Sequence, residues 1–502
     1  MLLLLVACIA QVDPCAKQVF FIDADGDGVG GERLSIQCHG SEDMVSVSGD
    51  CDDTDAEVAL AQVRFEDLDG DGWGAEAVEV CGPSSGTVEV NGDCDDTDPQ
   101  VHPSAGEVCD GVDTDCDGQV AEARVPQDYA TVQEALDAEE PWICLDEGVF
   151  GEDLVLPATP VHVQGRGAGL SVVEGSGEGP VIRGQDSVAR LEGLTLSGGR
   201  SPQGAGLYGL NLDLELVDVE ITDNACESES QCHGTGFYLE ASEAWLDGVW
   251  IHGNDAVGAT GVKGVAGMSL DGWLRAQDCR FEDNLASSGD HTAGGALYLG
   301  GAVSLRRVSV VGNRVAIGNT WGSAIHHRDG ILEADNLAVL GNSVPADSSM
   351  GCGVVCLSGS RASVTQGALV GNEVSDGEDC AGVRMIGRSQ LDLVNSDISL
   401  NGGAGQGQGV VCGDSDSYLM SSYSNLLPPG DELFVDLDQR VELLGGVINE
   451  PPLYASVTDD DPRDWDLTLT AGSPLVDAGD PELLDVDGSR SDIGVLGGPN
   501  AE

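Results

Sequence analysis

Between Leu212 and Asn401 the chain is built from short runs in which apolar and polar residues alternate, as in LDLELVDVEI, residues 212–221. A period of two puts every second side chain on one face of a strand, so these runs predict strands and not helices. The runs themselves recur. Asn224, Asn254, Asn284, Asn313, Asn342, Asn372 and Asn401 follow one another at intervals of 30, 30, 29, 29, 30 and 29 residues. Three residues before each stands an apolar one: Ile221, Ile251, Phe281, Val310, Val339, Leu369 and Ile398. Ten residues before each stands another small or apolar one: Leu214, Ala244, Leu274, Val303, Leu332, Ala362 and Leu391. A fixed period of this length marks a solenoid. The fold class expected is therefore all-β, with three short strands in each turn and one continuous apolar column inside. The asparagines are expected to stack as a ladder at one corner, each amide bonding the next coil.

Each coil also carries a glycine followed by an apolar strand: GAGLY, GTGFY, GGALY, GSAIH and AGVRM. If the apolar residue faces in, the next one faces out. Tyr208, Tyr238, Tyr298, His326 and Arg384 would then form an aromatic and basic stripe, joined by His327, Arg328 and Arg388. Such a stripe suits sugar stacking and carboxylate pairing. The competing readings are ordinary sheet surface, or tyrosines turned inward.

The first quarter of the chain has a different texture. Residues 1–124 carry 29 acidic and four basic residues. The whole chain has 88 acids against 21 bases, a net charge of −67. This field attracts cations and makes nucleic acid and anionic lipid poor partners. The acids are ordered. Asp23, Asp25 and Asp27 in FIDADGDGVG match Asp67, Asp69 and Asp71 in FEDLDGDGWG, and GDCDDTD occurs at 49–55 and again at 92–98. Carboxylates at positions 1, 3 and 5, with glycine at position 6 for the sharp turn, have the logic of a calcium loop, with the carbonyl of Val29 or Trp73 as the next ligand. Leu34 and Val78 stand where an EF-hand has its glutamate, and the flanks read as strands, so these are not EF-hands. The closing stretches supply further carboxylates: Asp50, Asp52, Asp53 and Asp55 in the first copy, Asp93, Asp95, Asp96 and Asp98 in the second. Disulfides Cys38–Cys51 and Cys81–Cys94 would bring each copy's halves together. A third acidic piece, SAGEVCDGVDTDCDG, offers Glu107, Asp110, Asp113, Asp115 and Asp117, with Cys109–Cys116 as its expected bridge. Oxygen donors dominate, while soft ones are limited to Met44, His39 and His102, so calcium is the expected cofactor.

These stretches resemble the MopE-type metal-binding repeats of secreted bacterial proteins. The resemblance covers roughly residues 19–118, although the first copy lacks the PSAGEVCDG tail. It implies metal binding and leaves the metal open.

Past Arg124, VPQDYATVQEALDA contains a capping box, Thr131 to Glu134, and a short helix. With PWICLDEGVFGEDLVL it resembles the opening of right-handed parallel β-helix proteins of the pectin-lyase-like type, with Phe150 in the aromatic place. The resemblance implies that handedness, and with it the question of a polysaccharide lyase or hydrolase. Acids lie on or beside strands at Asp213, Glu215, Asp218, Glu220, Asp278 and Asp283. Asp218 and Asp278 fall two coils apart, about 10 Å at the strand spacing, which would suit an inverting carboxylate pair. They alternate as any exposed face does, and no diagnostic catalytic motif accompanies them. The C-terminal GSPLVDAGDPELLDVDGSRSDIGVLGG resembles the closing segment of many bacterial β-helix surface proteins. It is expected to cap the open end of the sheet, with Asp485, Asp487 and Asp492 as a candidate cation cluster.

Sixteen cysteines at these spacings point to disulfides and an extracytoplasmic compartment. Cys226–Cys232, Cys352–Cys356 and Cys380–Cys412 are expected pairs, Cys279 a buried free thiol, and Cys15 and Cys144 have no evident partner. MLLLLVAC resembles a bacterial lipoprotein signal with Cys8 as the lipidated residue, though it lacks a basic leading region and normal apolar length. The expected layout is a signal over 1–7, a tether over 8–18, metal-binding modules over 19–123, a β-helix over 124–460 and a cap over 461–502. The function expected is that of a secreted or surface-anchored calcium-binding β-helix protein, on the cell surface as an outer-membrane lipoprotein or released, acting as a non-enzymatic adhesin, structural or glycan-binding protein. The alternative is the lyase or hydrolase. Calcium, a polysaccharide or another surface protein are the expected partners, with membrane contact only through a lipid anchor.

Overall fold

The computed structural model describes residues 17–500, apart from 33, 59, 83, 106–108, 110–111, 119–122, 258–259, 323, 345–353, 374–379, 403–408, 429–432, 438–439 and 458–460. Cys8, Cys15, Glu107, Asp110 and Cys352 therefore lie outside the described residues. The chain divides into two compact units, 1–121 and 122–502.

The first unit repeats one small motif. Gln18–Ile22 pairs antiparallel with Leu34–Gln37 and with Met44–Val45. Gln62–Glu66 pairs in the same way with Ala77–Val80 and Thr87–Val88. The acidic loops leave the ends of the two leading strands. Apolar burial is meagre: Val29, Val101 and Cys109 are the buried apolar residues described here, while Leu34, Ile36 and Val63 are exposed. Covalent bonds take up part of the task, but the pairing differs from expectation. Cys51 bonds Cys81, and Cys94 bonds Cys116. Each bridge thus runs from one motif's closing loop to the next motif. The expected Cys38–Cys51, Cys81–Cys94 and Cys109–Cys116 pairs are replaced, because the closing loop of one copy packs beside the hairpin that follows it. Cys38 and Cys109 are also disulfide-bonded.

The second unit is the right-handed parallel β-helix. Its first coil is closed by the helix Val132–Asp137, which buries Val132, Ala135 and Leu136. Thr131 caps that helix by accepting from the Glu134 N–H at 3.1 Å, and Glu134 reaches back to the Ala130 N–H. Glu152 accepts two further first-turn N–H groups, those of Val132 and Gln133. From there the strands stack parallel and in register: Leu214 on Ala244 on Leu274 on Val303 on Leu332, and Ile221 on Ile251 on Phe281 on Val310 on Val339. These columns are buried almost completely and belong to one apolar core.

The asparagine ladder forms as the spacing predicts. Asn224 donates through Nδ2 to Asn254 Oδ1 at 3.1 Å, and the pattern runs unbroken to Asn372 on Asn401 at 2.8 Å. Each Oδ1 also accepts the backbone N–H of the preceding asparagine. Cys279 is the buried free thiol expected, and burial pushes it up to about 12. Cys226–Cys232 and Cys380–Cys412 form. Cys144 and Cys356 are disulfide-bonded too, so Cys144 is not a spare cysteine.

Two features depart from three strands per coil and an end cap. After the asparagine corner, the first four coils of the ladder extend sideways. Ala225–Glu227, Gln231–His233, Asp255–Val257, Gly261–Lys263, Leu285–Ala293 and Arg314–Trp321 make a separate parallel side sheet with its own small core of Cys226, Cys232, Ala256, Val262, Val265, Ala286 and Val315. The C-terminal segment lies across the flank of the coils instead of stacking on the last one. Trp465 and Pro462 rest on the glycines of one corner, Gly341 and Gly371, where a Cβ would clash. Arg463 pairs with Asp283, Asn336 donates to the Val495 carbonyl, and Arg306 reaches Asn500. Its strand Asp466–Leu469 pairs only with Tyr454–Ser456 among the described residues.

Candidate metal centres and the outer face of the solenoid

Each acidic loop winds on its own amides. Asp23 Oδ1 accepts from Gly26 N and Oδ2 from Gly28 N, Asp25 Oδ1 from Asp27 N, and Asp27 Oδ1 from Val29 N. The second copy repeats three of these bonds, Asp67 accepting from Gly70 N, Asp69 from Asp71 N and Asp71 from Trp73 N. Gly26 and Gly28 sit at φ +86° and +97°, and Gly70 and Gly72 at +88° and +98°, where other residues are strained. The last glycine of each loop has a different reason. A Cβ at Gly30 or Gly74 would overlap the strand carrying Phe21 or Phe65. One ligand oxygen from each of Asp23, Asp25 and Asp27 lies within 4.8 Å of the others, and the same holds for Asp67, Asp69 and Asp71 and for Asp113, Asp115 and Asp117.

The closing loops divide their carboxylates by role. Asp50 lies near enough to feel the charge of Asp27 and Asp23, and Asp93 that of Asp71 and Asp69. Asp53 and Asp96 clamp the opening loops by accepting from Ala24 N and Leu68 N, each at 3.0 Å. Asp52, Asp55, Asp95 and Asp98 instead accept from Thr54, Glu57, Thr97 and Gln100 and hold local turns. The decisive atoms are the second oxygens. Asp25, Asp27 and Asp50 in the first module, and Asp69, Asp71 and Asp93 in the second, each bury an Oδ2 with no hydrogen-bond partner. Buried oxygens without partners cost free energy unless something compensates them. Burial, then repulsion from neighbouring carboxylates, holds Asp25, Asp50 and Asp93 above the usual range. A cation between them removes both penalties, so the residues fit a metal. In the third piece Asp113 and Asp115 spend oxygens on Asp117 N and Gly118 N, and no orphaned oxygen is described there.

The outer column of the solenoid is continuous but is no exposed stripe. Tyr208, Tyr238, Met268, Tyr298, His326, Cys356 and Arg384 follow one another in register. Met268 and Cys356 interrupt the expected set, because their coils lack the aromatic. The column points away from the main core, yet Tyr238, Met268 and Tyr298 are 5%, 2% and 3% exposed and pack together. Burial also lowers His326 and His327 to about 4, so both are neutral at physiological pH. His327 lies inside, stacked on Leu299 and Leu357.

The acids once weighed as catalytic have structural places. Asp218, Gly248, Asp278, Arg307, Asn336, Gln366, Asn395 and Tyr423 all have φ between +46° and +65° and form one left-handed corner column. Asp and Asn tolerate that conformation better than most residues. Asp278 is gripped by Arg307 at 2.5 and 2.6 Å, Glu215 pairs with Arg190, and Glu220 binds Thr195 and His252. Sequence reasoning missed Asp397. It is fully buried and accepts from Ser399, Asn425 and Tyr454, at 2.6, 2.7 and 2.5 Å. Its polar surroundings DIS resemble any strand, and the partner Tyr454 comes from a distant segment.

Comparison with known proteins agrees in part. The Cu-binding MopE metal-binding motif matches residues 50–59 and 93–122. No curated protein matches the chain. Among solved structures, pectate lyase Pel9A aligns with 72% of this chain and 90% of its own, at 14% identity and TM-score 0.34. The N-terminal fragment of bacteriophage Phi29 gene product 12 aligns with 67% of this chain and 70% of its own, at 11% identity and TM-score 0.22.

Proposed function

We propose that this chain is an extracytoplasmic surface protein in which calcium-loaded modules precede a β-helix that serves as a rigid, non-enzymatic binding face. The observation that carries the calcium part is the set of six buried carboxylate oxygens without partners. The matched motif bears a copper name. Here the orphaned atoms are all hard oxygens and the nearby cysteines are tied in disulfides, a donor set that favours calcium over copper. Asp25, Asp27 and Asp50, with Asp23, would hold one ion, and Asp69, Asp71 and Asp93, with Asp67, another. A bound ion supplies charge neutralisation, which lets a nearly coreless unit stay folded. Anchoring by Cys8 belongs to the same reading, as does a polysaccharide or a second surface protein as partner.

The non-enzymatic part is supported by the corner positions of Asp218 and Asp278 and by the Arg307 clamp. The second reading, a polysaccharide lyase or hydrolase, is favoured by a groove that Lys263, Tyr298 and Trp321 line. One experiment separates them. The calcium-loaded protein is incubated with acidic and neutral polysaccharides, and both binding and chain length are followed. Binding with unchanged chain length is expected, while shortened chains overturn the non-enzymatic reading. Calorimetric titration of the chelated protein with calcium is expected to show two tight sites, and titration without heat overturns the metal assignment.

A further inference from the structure

Where the side sheet leaves the main coils, the chain turns at Gly204, Gly234, Gly264, Gly294 and Gly322, all with φ between +53° and +74°. These turns fold the side strands back beside the outer tyrosine column. A groove of about 400 Å³ follows the junction. Tyr298 and His326 form its floor, Lys263 and Trp321 stand on the side-sheet wall, and Arg328 closes the opposite edge. Lys263 Nζ lies over the Tyr298 ring, 5.4 Å from its centre. Arg328 Nη1 donates to the Tyr298 hydroxyl at 3.3 Å. The Trp321 ring runs nearly parallel to His326, 6.5 Å away.

Lys263 is set apart from the salt-bridged cations of the solenoid. The chain has 88 acids and 21 bases, and several arginines in the solenoid are matched to a carboxylate, as Arg190, Arg307 and Arg463 are; Arg328 itself grips Asp329 through Nε and Nη2. Lys263 has no ion-pair partner among the described residues. The charge it feels is that of Arg328, and burial and that like charge hold it below the usual lysine range. Arg328 has Asp329 to balance it, but a half-buried ammonium without a carboxylate is costly until an anion reaches it. The flanking rings define the remainder of such a ligand. Trp321 and Tyr298 offer flat faces for the C–H side of a pyranose, and Lys263 and Arg328 offer donors to an acidic substituent.

We propose that this groove is the ligand site of the solenoid and that it takes an acidic saccharide, one anionic group held by Lys263, beside the Asp329-paired Arg328, with its sugar ring against Trp321. This rests on the binding-face reading above and adds the place and the chemistry. Carboxylate and sulfate are equivalent anions for these donors. The ligand carries its charges sparsely. Screening confines each interaction to about 8 Å at physiological ionic strength, so a densely charged polymer would meet the surrounding acids as soon as it left the two cations.

The test uses the full calcium-loaded chain and titration calorimetry. The probes are a galacturonate hexasaccharide, its carboxyl-reduced neutral counterpart, a sulfated hexasaccharide and an Asp/Glu-rich peptide. The acidic saccharides are expected to bind, and the neutral counterpart to bind at least about tenfold more weakly, a difference of about 1.4 kcal/mol. Lys263→Met and Trp321→Ala should each weaken binding by about tenfold or more, while Lys263→Arg, which keeps the charge, should stay within about threefold. Unfolding curves of the variants confirm that the solenoid is intact. A preference for the uronate or for the sulfate identifies the anion within the proposal. Equal affinity for acidic and neutral saccharides, stronger binding of the peptide, or undiminished binding by Lys263→Met overturns it. In the last case the surface-binding reading survives with its site elsewhere. If Lys263→Met abolishes binding but the bound hexasaccharide is shortened, the groove stands and the non-enzymatic reading falls.

Discussion

The two units solve the same problem with opposite means. The solenoid buries apolar columns coil on coil, and its polar groups are paired in ladders. The N-terminal unit buries almost no apolar side chain among the described residues and leaves six carboxylate oxygens orphaned in its interior. A small module cannot bury enough surface to offset its chain entropy, so ions and disulfides take the place of a core. The solenoid can lose one coil contact and stand. The modules depend on a few concentrated interactions.

Chelation is the strongest way to break this comparison. Removing calcium is expected to abolish hydrogen-exchange protection over residues 19–118 and leave the Asn224–Asn401 ladder protected. Equal loss in both units would refute the division of labour. Next in size is a lesion in the ladder. Asn313 receives two hydrogen bonds from Asn284 and donates to the Phe281 and Val311 carbonyls and to Asn342. Asn313→Ala should therefore cost about 3 kcal/mol, read from the urea midpoint of the solenoid, with calcium affinity unchanged.

Asp397 sharpens the contrast by showing a buried carboxylate with no cation. Burial raises it to about 6, opposed by the hydrogen bonds of Ser399, Tyr454 and Asn425. Its folded value lies above the unfolded one, so its contribution is full below about pH 4 and is lost as pH rises through about 6. Solenoid stability should fall across that window by up to about 3 kcal/mol, and Asp397→Asn should flatten the dependence. A slope unchanged in the variant would assign it to other groups. In the modules, Asp50→Asn and Asp93→Asn should weaken calcium at their own sites by about 10- to 100-fold, whereas Asp52→Asn and Asp95→Asn should change it by less than about threefold. The smallest effect is expected from Asp278→Asn. Its partly exposed ion pair with Arg307 is worth at most about 1 kcal/mol, and thermal unfolding checks it.

Much of this was legible because each signal is local or periodic. The Asn224–Asn401 spacing and the alternation of LDLELVDVEI determine strands, coil length, inward columns and the ladder, since a period of two and a repeat of 29 or 30 residues leave few ways to bury the apolar side. D-x-D-G-D-G determines two acidic loops, since carboxylates and glycines at those offsets wind only one way. The sequence also names the helix cap at Thr131 and the free thiol at Cys279. What it leaves open depends on which segments become neighbours. The pairing Cys51–Cys81 in place of Cys38–Cys51 follows from the docking of successive hairpins. The roles of Asp50 and Asp52 separate only when the closing loop folds onto the triad. The side sheet buries the tyrosine column that alternation alone would expose, and the C-terminal segment lies along a flank where glycines at left-handed corners leave room for Trp465 and Pro462. Local patterning dictates each strand and loop because it depends on side chains a few residues apart. Pairings across 30 to 194 residues were decided by packing, whose free energy is set by the assembled surface and by no single stretch of sequence.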